Sequence, residues 1–175
     1  MSGPHVIEVD QGDFQTKVLE ASSTVPVVVD FWAGWCRPCL VLGPLLERLA
    51  DEFGGRFVLA KVDVDANQEL SSAFGIQGIP AVKAFVDGRV ASEFVGAQPE
   101  PAVRRFLDSI VPSEADGLVA SLPADDAQAE SSLRSALEAE PGHPGASAAL
   151  AGRLLERGDV EGARTVLSAA GPSPE

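Results

Sequence analysis

The stretch Val27-Val28-Val29-Asp30-Phe31-Trp32-Ala33-Gly34-Trp35-Cys36-Arg37-Pro38-Cys39 constrains the fold more than any other part of the chain. A β-branched apolar run stops at a glycine, and Leu40, Leu42, Leu45, Leu46 and Leu49 then recur at helical spacing as a core stripe. This reads as a buried strand feeding directly into a helix that starts at the cysteines. The first N–H groups of a helix lack intrahelical partners and carry the positive end of its dipole, so a thiolate at Cys36 is favoured. Cys39 lies one turn deeper on the same face, at a separation a disulfide spans. The pair is expected to work as a dithiol–disulfide switch, with Cys36 accessible and Cys39 shielded.

Around this centre the pattern predicts a strand over His5–Val9, an amphipathic helix over Asp13–Ala21 with Phe14, Val18 and Leu19 inward, and the central strand Val25–Phe31. The helix after the motif runs to about Phe53 and contains Pro44, which removes a hydrogen bond and kinks it. A strand over Arg56–Asp65 places Phe57, Leu59 and Lys61 on one face by parity, and a short helix, Gln68–Phe74, follows. Ala81–Val86 and Val90–Val95 flank Asp87-Gly88, a hairpin signature. Pro99–Val111 reads as a closing helix. The order βαβαβαββα implies a mixed sheet with helices on both faces. Local sequence alone does not call for a cis peptide at Ile79-Pro80, because cis is the minority isomer.

Past Pro112 the texture changes. Aromatics end at Phe106, and Asp116–Ser121, Asp125–Glu140, Pro144–Arg157 and Asp159–Ala170 read as four helices. Arg134–Ala139 and Arg164–Ala169 form a faint repeat, with Pro144 and Pro174 at the same offset, which suggests solenoid-type helical hairpins. His143, between Gly142 and Pro144, reads as a loop residue. The domain reading is 1–111, a linker 112–116, and a helical region 117–175.

The formal net charge of −13 and the lack of any basic run argue against nucleic acid and anionic membranes as partners. Met1–Phe14 has no leader-like pattern and no apolar run reaches membrane-spanning length, so a soluble cytoplasmic protein is expected. The only two cysteines share one motif, which fits a reducing compartment and catalytic use. Zinc is the rival reading, but only His5 and His143 could complete a site. A structural disulfide is the other.

Asp30, Trp32, Trp35 with Cys36-Arg37-Pro38-Cys39, Pro44, Lys61, Gly78-Ile79-Pro80 and Gly96 together resemble a complete thioredoxin domain over residues 4–111. The tail motifs, including Pro112-Ser113-Glu114-Ala115-Asp116 and Glu140-Pro141-Gly142-His143-Pro144, resemble bacterial thioredoxins that carry a C-terminal tetratricopeptide (TPR) region, the CnoX/YbbN or chaperedoxin family. The resemblance implies a thioredoxin fold followed by a small all-α, TPR-like tail. It implies that Cys36 attacks, that Cys39 resolves, and that Asp30 accepts the Cys39 proton with Lys61 as charge partner. It also implies a cis Pro80, and a collar of Gly34, Trp35, Gly78, Ile79, Gly96 and Ala97 that binds substrate. A carboxylate in an apolar strand independently has a raised pKa suited to proton transfer. Without the resemblance, Asp30 also reads as an ordinary strand-end carboxylate and Lys61 as a snorkelling lysine.

The implied activity is thiol–disulfide oxidoreduction. No bound cofactor is expected, since electrons would come from a separate flavin- and NADPH-dependent thioredoxin reductase. Clients with disulfides or unfolded segments are the implied partners, together with a chaperonin. The alternative is a redox-linked holdase that protects clients and hands them on, and a weaker third reading is a scaffold for one partner peptide. Arg37 departs from the family's usual glycine, and a cation there should stabilise the thiolate further.

Overall fold

The computed structural model describes residues 3–170. Five strands, β1 (Val6–Glu8), β2 (Val27–Trp32), β3 (Val58–Asp63), β4 (Ala81–Val86) and β5 (Arg89–Val95), make one sheet in the order β1-β3-β2-β4-β5. β1, β3 and β2 are parallel, while β4 runs antiparallel to β2 and β5 antiparallel to β4. β2 is central, and its valines and Phe31 are fully buried, as a strand covered on both faces requires. Helices α1 (Arg37–Glu52) and α3 (Glu100–Asp108) cover one face, where Leu42, Leu46, Val103 and Leu107 meet Val28, Leu59 and Val82. The other face, with Val27, Val29, Phe31 and Ala60, is closed by Phe14, Val18 and Leu70, the last from α2 (Gln68–Ala73). This is the mixed sheet flanked by helices that the element order implies.

Three local differences from the sequence pattern have physical causes. The segment expected as an α-helix is wound as a π-helix over Gln15–Glu20, with the Ala21 N–H bonded to the Thr16 carbonyl, and ends in a 3₁₀ turn at Ala21–Ser23. Phe14, Val18 and Leu19 are spaced by four and five residues, which suits i→i+5 winding. Arg56 stays outside β3 because its Nε donates to the Phe53 carbonyl and its guanidinium lies over the Phe53 ring at 4.8 Å. Leu40 is not core: it is 54% exposed, and the core stripe of α1 is Cys39, Leu42, Gly43, Leu46 and Leu49.

The chain divides into two compact units, Met1–Val111 and Pro112–Glu175. In the second, α4 (Glu114–Ala120) packs with α5 (Asp126–Ala139), and α6 (Pro144–Glu156) with α7 (Val160–Ala169). Their core is Ala115, Leu133, Ala136, Ala146, Leu150, Leu154 and Ala163. α4 begins inside the expected linker because Ser113 and Asp116 form a reciprocal capping box. His143 is no loop residue but the buried N-cap of α6: its Nδ1 accepts from the Ala146 N–H at 3.0 Å and its Nε2 lies 2.9 Å from Asp116 Oδ1. The two repeat segments fall on α5 and α7, while Pro174 lies outside the described residues.

Candidate active site

Cys36 is the N-cap of α1, and its Sγ accepts from the Cys39 N–H at 3.2 Å. Pro38 occupies the first turn, where its missing N–H costs nothing. Cys36 and Cys39 are joined in a disulfide with their Cα atoms 5.3 Å apart. At 4% and 3% exposure the two are equally shielded, contrary to the expected contrast. Ala33, Trp32, Val64 and Ile79 pack around the sulfurs and take up the surface that Cys36 would otherwise present.

Asp30 is 1% exposed, and neither carboxyl oxygen has a hydrogen-bond partner among the described residues. Burial pushes its pKa up to about 7, with Lys61 pulling it down and Glu47 pushing it up. Lys61 is the register neighbour of Asp30 on β3, so the two side chains share a face. The Lys61 ammonium nevertheless bonds Glu47 Oε1 at 2.6 Å and sits 5.0 Å from the Trp32 ring centre. Lys61 therefore reaches Asp30 as a through-space charge, while its direct ion pair is with Glu47. A Cβ at Gly43, one turn after Cys39, would lie 4.0 Å from Asp30 Oδ2 and 3.9 Å from Lys61 Nζ. The helix that carries the cysteines therefore passes close to the buried carboxyl at this position.

The collar residues divide into two groups. Trp35, Gly78 and Ile79 line an open groove of ≈ 320 Å³ with Val64, Ser71, Ile76 and Gln77. Trp35 is 69% exposed, and its indole N–H is fixed by Asp65 Oδ2 at 2.8 Å. Ile79-Pro80 is cis, and the Pro80 carbonyl accepts from the Gly96 N–H at 2.7 Å, with Gly96 at φ +86°. Gly34, Gly96 and Ala97 do not line the groove: Gly34 and Ala97 are exposed, and Gly96 joins the site only through its bond to Pro80.

Residues 5–109 match the family profile for thioredoxin. The chain belongs to the thioredoxin family. Residues 124–173 match a tetratricopeptide repeat profile. The thioredoxin of Chlorobaculum thiosulfatiphilum is 40% identical over 88 residues, which are 50% of this chain and 80% of that protein. Thioredoxin C-2 of Corynebacterium nephridii is 40% identical over 90 residues, 51% of this chain and 82% of its own length. Thioredoxin 1 of Chlorobaculum tepidum is 45% identical over 69 residues, 39% of this chain and 68% of its own. These likenesses cover only part of the chain.

Sequence reading missed Glu47 and Asp65. Within the thioredoxin domain, Glu47 follows Cys39 and Gly43 at four-residue intervals, a helical row that could have signalled it. Asp65 gives no such signal, because its contact with Trp35 spans 30 positions. Among the described residues no group of three or more His, Cys, Asp or Glu side chains is placed to hold a metal ion. No described helix is long and apolar enough to cross a membrane.

Proposed function

We propose that this chain is a thiol–disulfide oxidoreductase that reduces disulfides in client proteins. The observation that carries the reading is a disulfide at a helix N-terminus, with a buried, unpaired carboxyl against the same helix one turn on. In the reduced protein the Cys36 thiolate, stabilised by the helix start, attacks a client disulfide. A bond forms between Cys36 Sγ and one client sulfur, and the other client sulfur leaves as thiolate. Asp30 then takes the proton from Cys39. The Cys39 thiolate bonds Cys36 Sγ, and the remaining client sulfur leaves with the electron pair. The client gains two electrons, and the Cys36–Cys39 pair loses them to become the disulfide.

The groove beside Trp35, Gly78 and Ile79 supports binding of an extended client segment, next to the cis Pro80 whose carbonyl Gly96 holds. Arg37, exposed between the cysteines, puts a cation beside the attacking sulfur. Electrons to restore the dithiol would come from a separate thioredoxin reductase in a reducing, cytoplasmic setting. The test is reduction of insulin disulfides at neutral pH with NADPH and thioredoxin reductase. Wild type should turn over and Cys36→Ser should not, whereas reduction by Cys36→Ser as fast as wild type would end this reading.

A second activity, client holding of the chaperedoxin kind, is favoured by the TPR match and by the exposed apolar side chains Trp35, Leu40 and Val41 near the cysteines. The CnoX/YbbN assignment and delivery to a chaperonin go with it. Suppression of thermal aggregation of an unfolded client should survive Cys36→Ser if holding is independent of redox chemistry. Equal aggregation with and without the protein would remove this activity.

A further inference from the structure

Opposite charges that share one face of a sheet attract each other strongly where water is scarce, yet Asp30 and Lys61 are not paired. The reason lies in the layer above. Glu47 projects from α1 and takes the Lys61 ammonium, whose other contact is the Trp32 ring. α1 passes close to both groups at Gly43, where an added Cβ would lie 3.9 Å from Lys61 Nζ and 4.0 Å from Asp30 Oδ2. On the far side of β2 the register partner of Asp30 is Val82, which carries no charge. Lys61 from β3 and Glu47 from α1 are thus the charged groups that act on Asp30.

We propose that Glu47 is a positioning residue for the proton transfer: by holding the Lys61 ammonium on the helix side, it leaves the Asp30 carboxylate unpaired and free to take the proton of Cys39. The inference rests on the proposed role of Asp30 and adds the group that preserves it. Without the Glu47 charge, the Lys61 ammonium turns toward Asp30, its register neighbour on β2. The paired carboxylate is then a weaker base, and resolution of the mixed disulfide slows at neutral pH.

The experiment is a ¹³C NMR titration of the Asp30 carboxyl carbon in the full oxidised chain, assigned with Asp30→Asn and paired with single-turnover resolution rates across pH. Glu47→Gln should move the Asp30 midpoint down by about half a pH unit or more, and the acid limb of the rate profile should follow. Glu47→Asp, which keeps the charge, should restore most of the wild-type midpoint. Should Glu47→Gln fail to fold, Lys61→Met carries the test with the opposite sign, a midpoint moved upward. A midpoint unchanged in Glu47→Gln, or unchanged in Lys61→Met, overturns the proposal. If Asp30→Asn instead resolves the mixed disulfide with the wild-type pH profile, it is the proton-acceptor reading of Asp30 that fails, whatever Glu47 does.

Discussion

The two units treat buried charge in opposite ways. In the sheet unit, Asp30 is fully enclosed and its oxygens have no partner among the described residues. In the helical unit, Glu130 is 8% exposed and bonds both Arg134 and Arg157, while His143 bonds Asp116 and the Ala146 N–H. Among the described residues, the one buried polar side chain without a partner there is Ser147, which is uncharged. An unpaired buried carboxylate lowers stability, so its presence in an otherwise well-packed sheet points to chemistry. Paired groups at helix ends and between helices serve the fold.

The largest effect that would sharpen this contrast is catalytic. Cys36→Ser should lower disulfide reduction by at least about a thousandfold while leaving the far-ultraviolet spectrum of both units unchanged. Next comes stability. The Asp30 carboxyl titrates near 7 in the fold against 3.8 as a free side chain. Between those values the folded state keeps a proton that the unfolded chain has released, so stability falls as pH rises from about 4 to 7. Asp30→Ala removes that loss and should stabilise the sheet unit by about 4 kcal/mol well above pH 7, with no gain near pH 3. Denaturant melts at the two pH values read this directly.

The helical unit has the opposite sign. The Ser113 backbone N–H, then His143, hold Asp116 below the usual carboxylate range, so its contribution is present at neutral pH and fades as pH falls. His143→Ala should cost this unit about 1–2 kcal/mol through the lost cap and the lost bond to Asp116. Hydrogen exchange should show the loosening in residues 113–170 alone, with insulin reduction unaffected. The smallest effect is that of Gly43→Ala. A methyl at 3.9–4.0 Å from Lys61 and Asp30 is ordinary contact. Helix propensity should therefore yield about 0.5–1 kcal/mol, visible as a slight rise in melting temperature.

Local pattern made much of this fold legible. The apolar run of β2, the leucine spacing of α1 and the Asp87-Gly88 turn, where both residues take positive φ, each carry their structure within a few positions. Cys36 and Cys39 were legible for the same reason. The rest depends on contacts between distant elements. Glu47 looks like any solvent-facing residue of an amphipathic helix until β3 supplies Lys61, and His143 looks like a loop residue until Asp116 supplies its partner. The π-winding at Gln15–Glu20 hides within a spacing that also fits an α-helix.

The central claim is that the buried Asp30 carboxyl serves the chemistry of the cysteine pair. The most direct measurement is the single-turnover rate of mixed-disulfide resolution as a function of pH, in wild type and in Asp30→Ala. The account predicts a wild-type profile with an ionisation near 7 that disappears in the variant, together with slower resolution at neutral pH. Superimposable profiles would contradict it and leave Asp30 as a buried charge without a catalytic part.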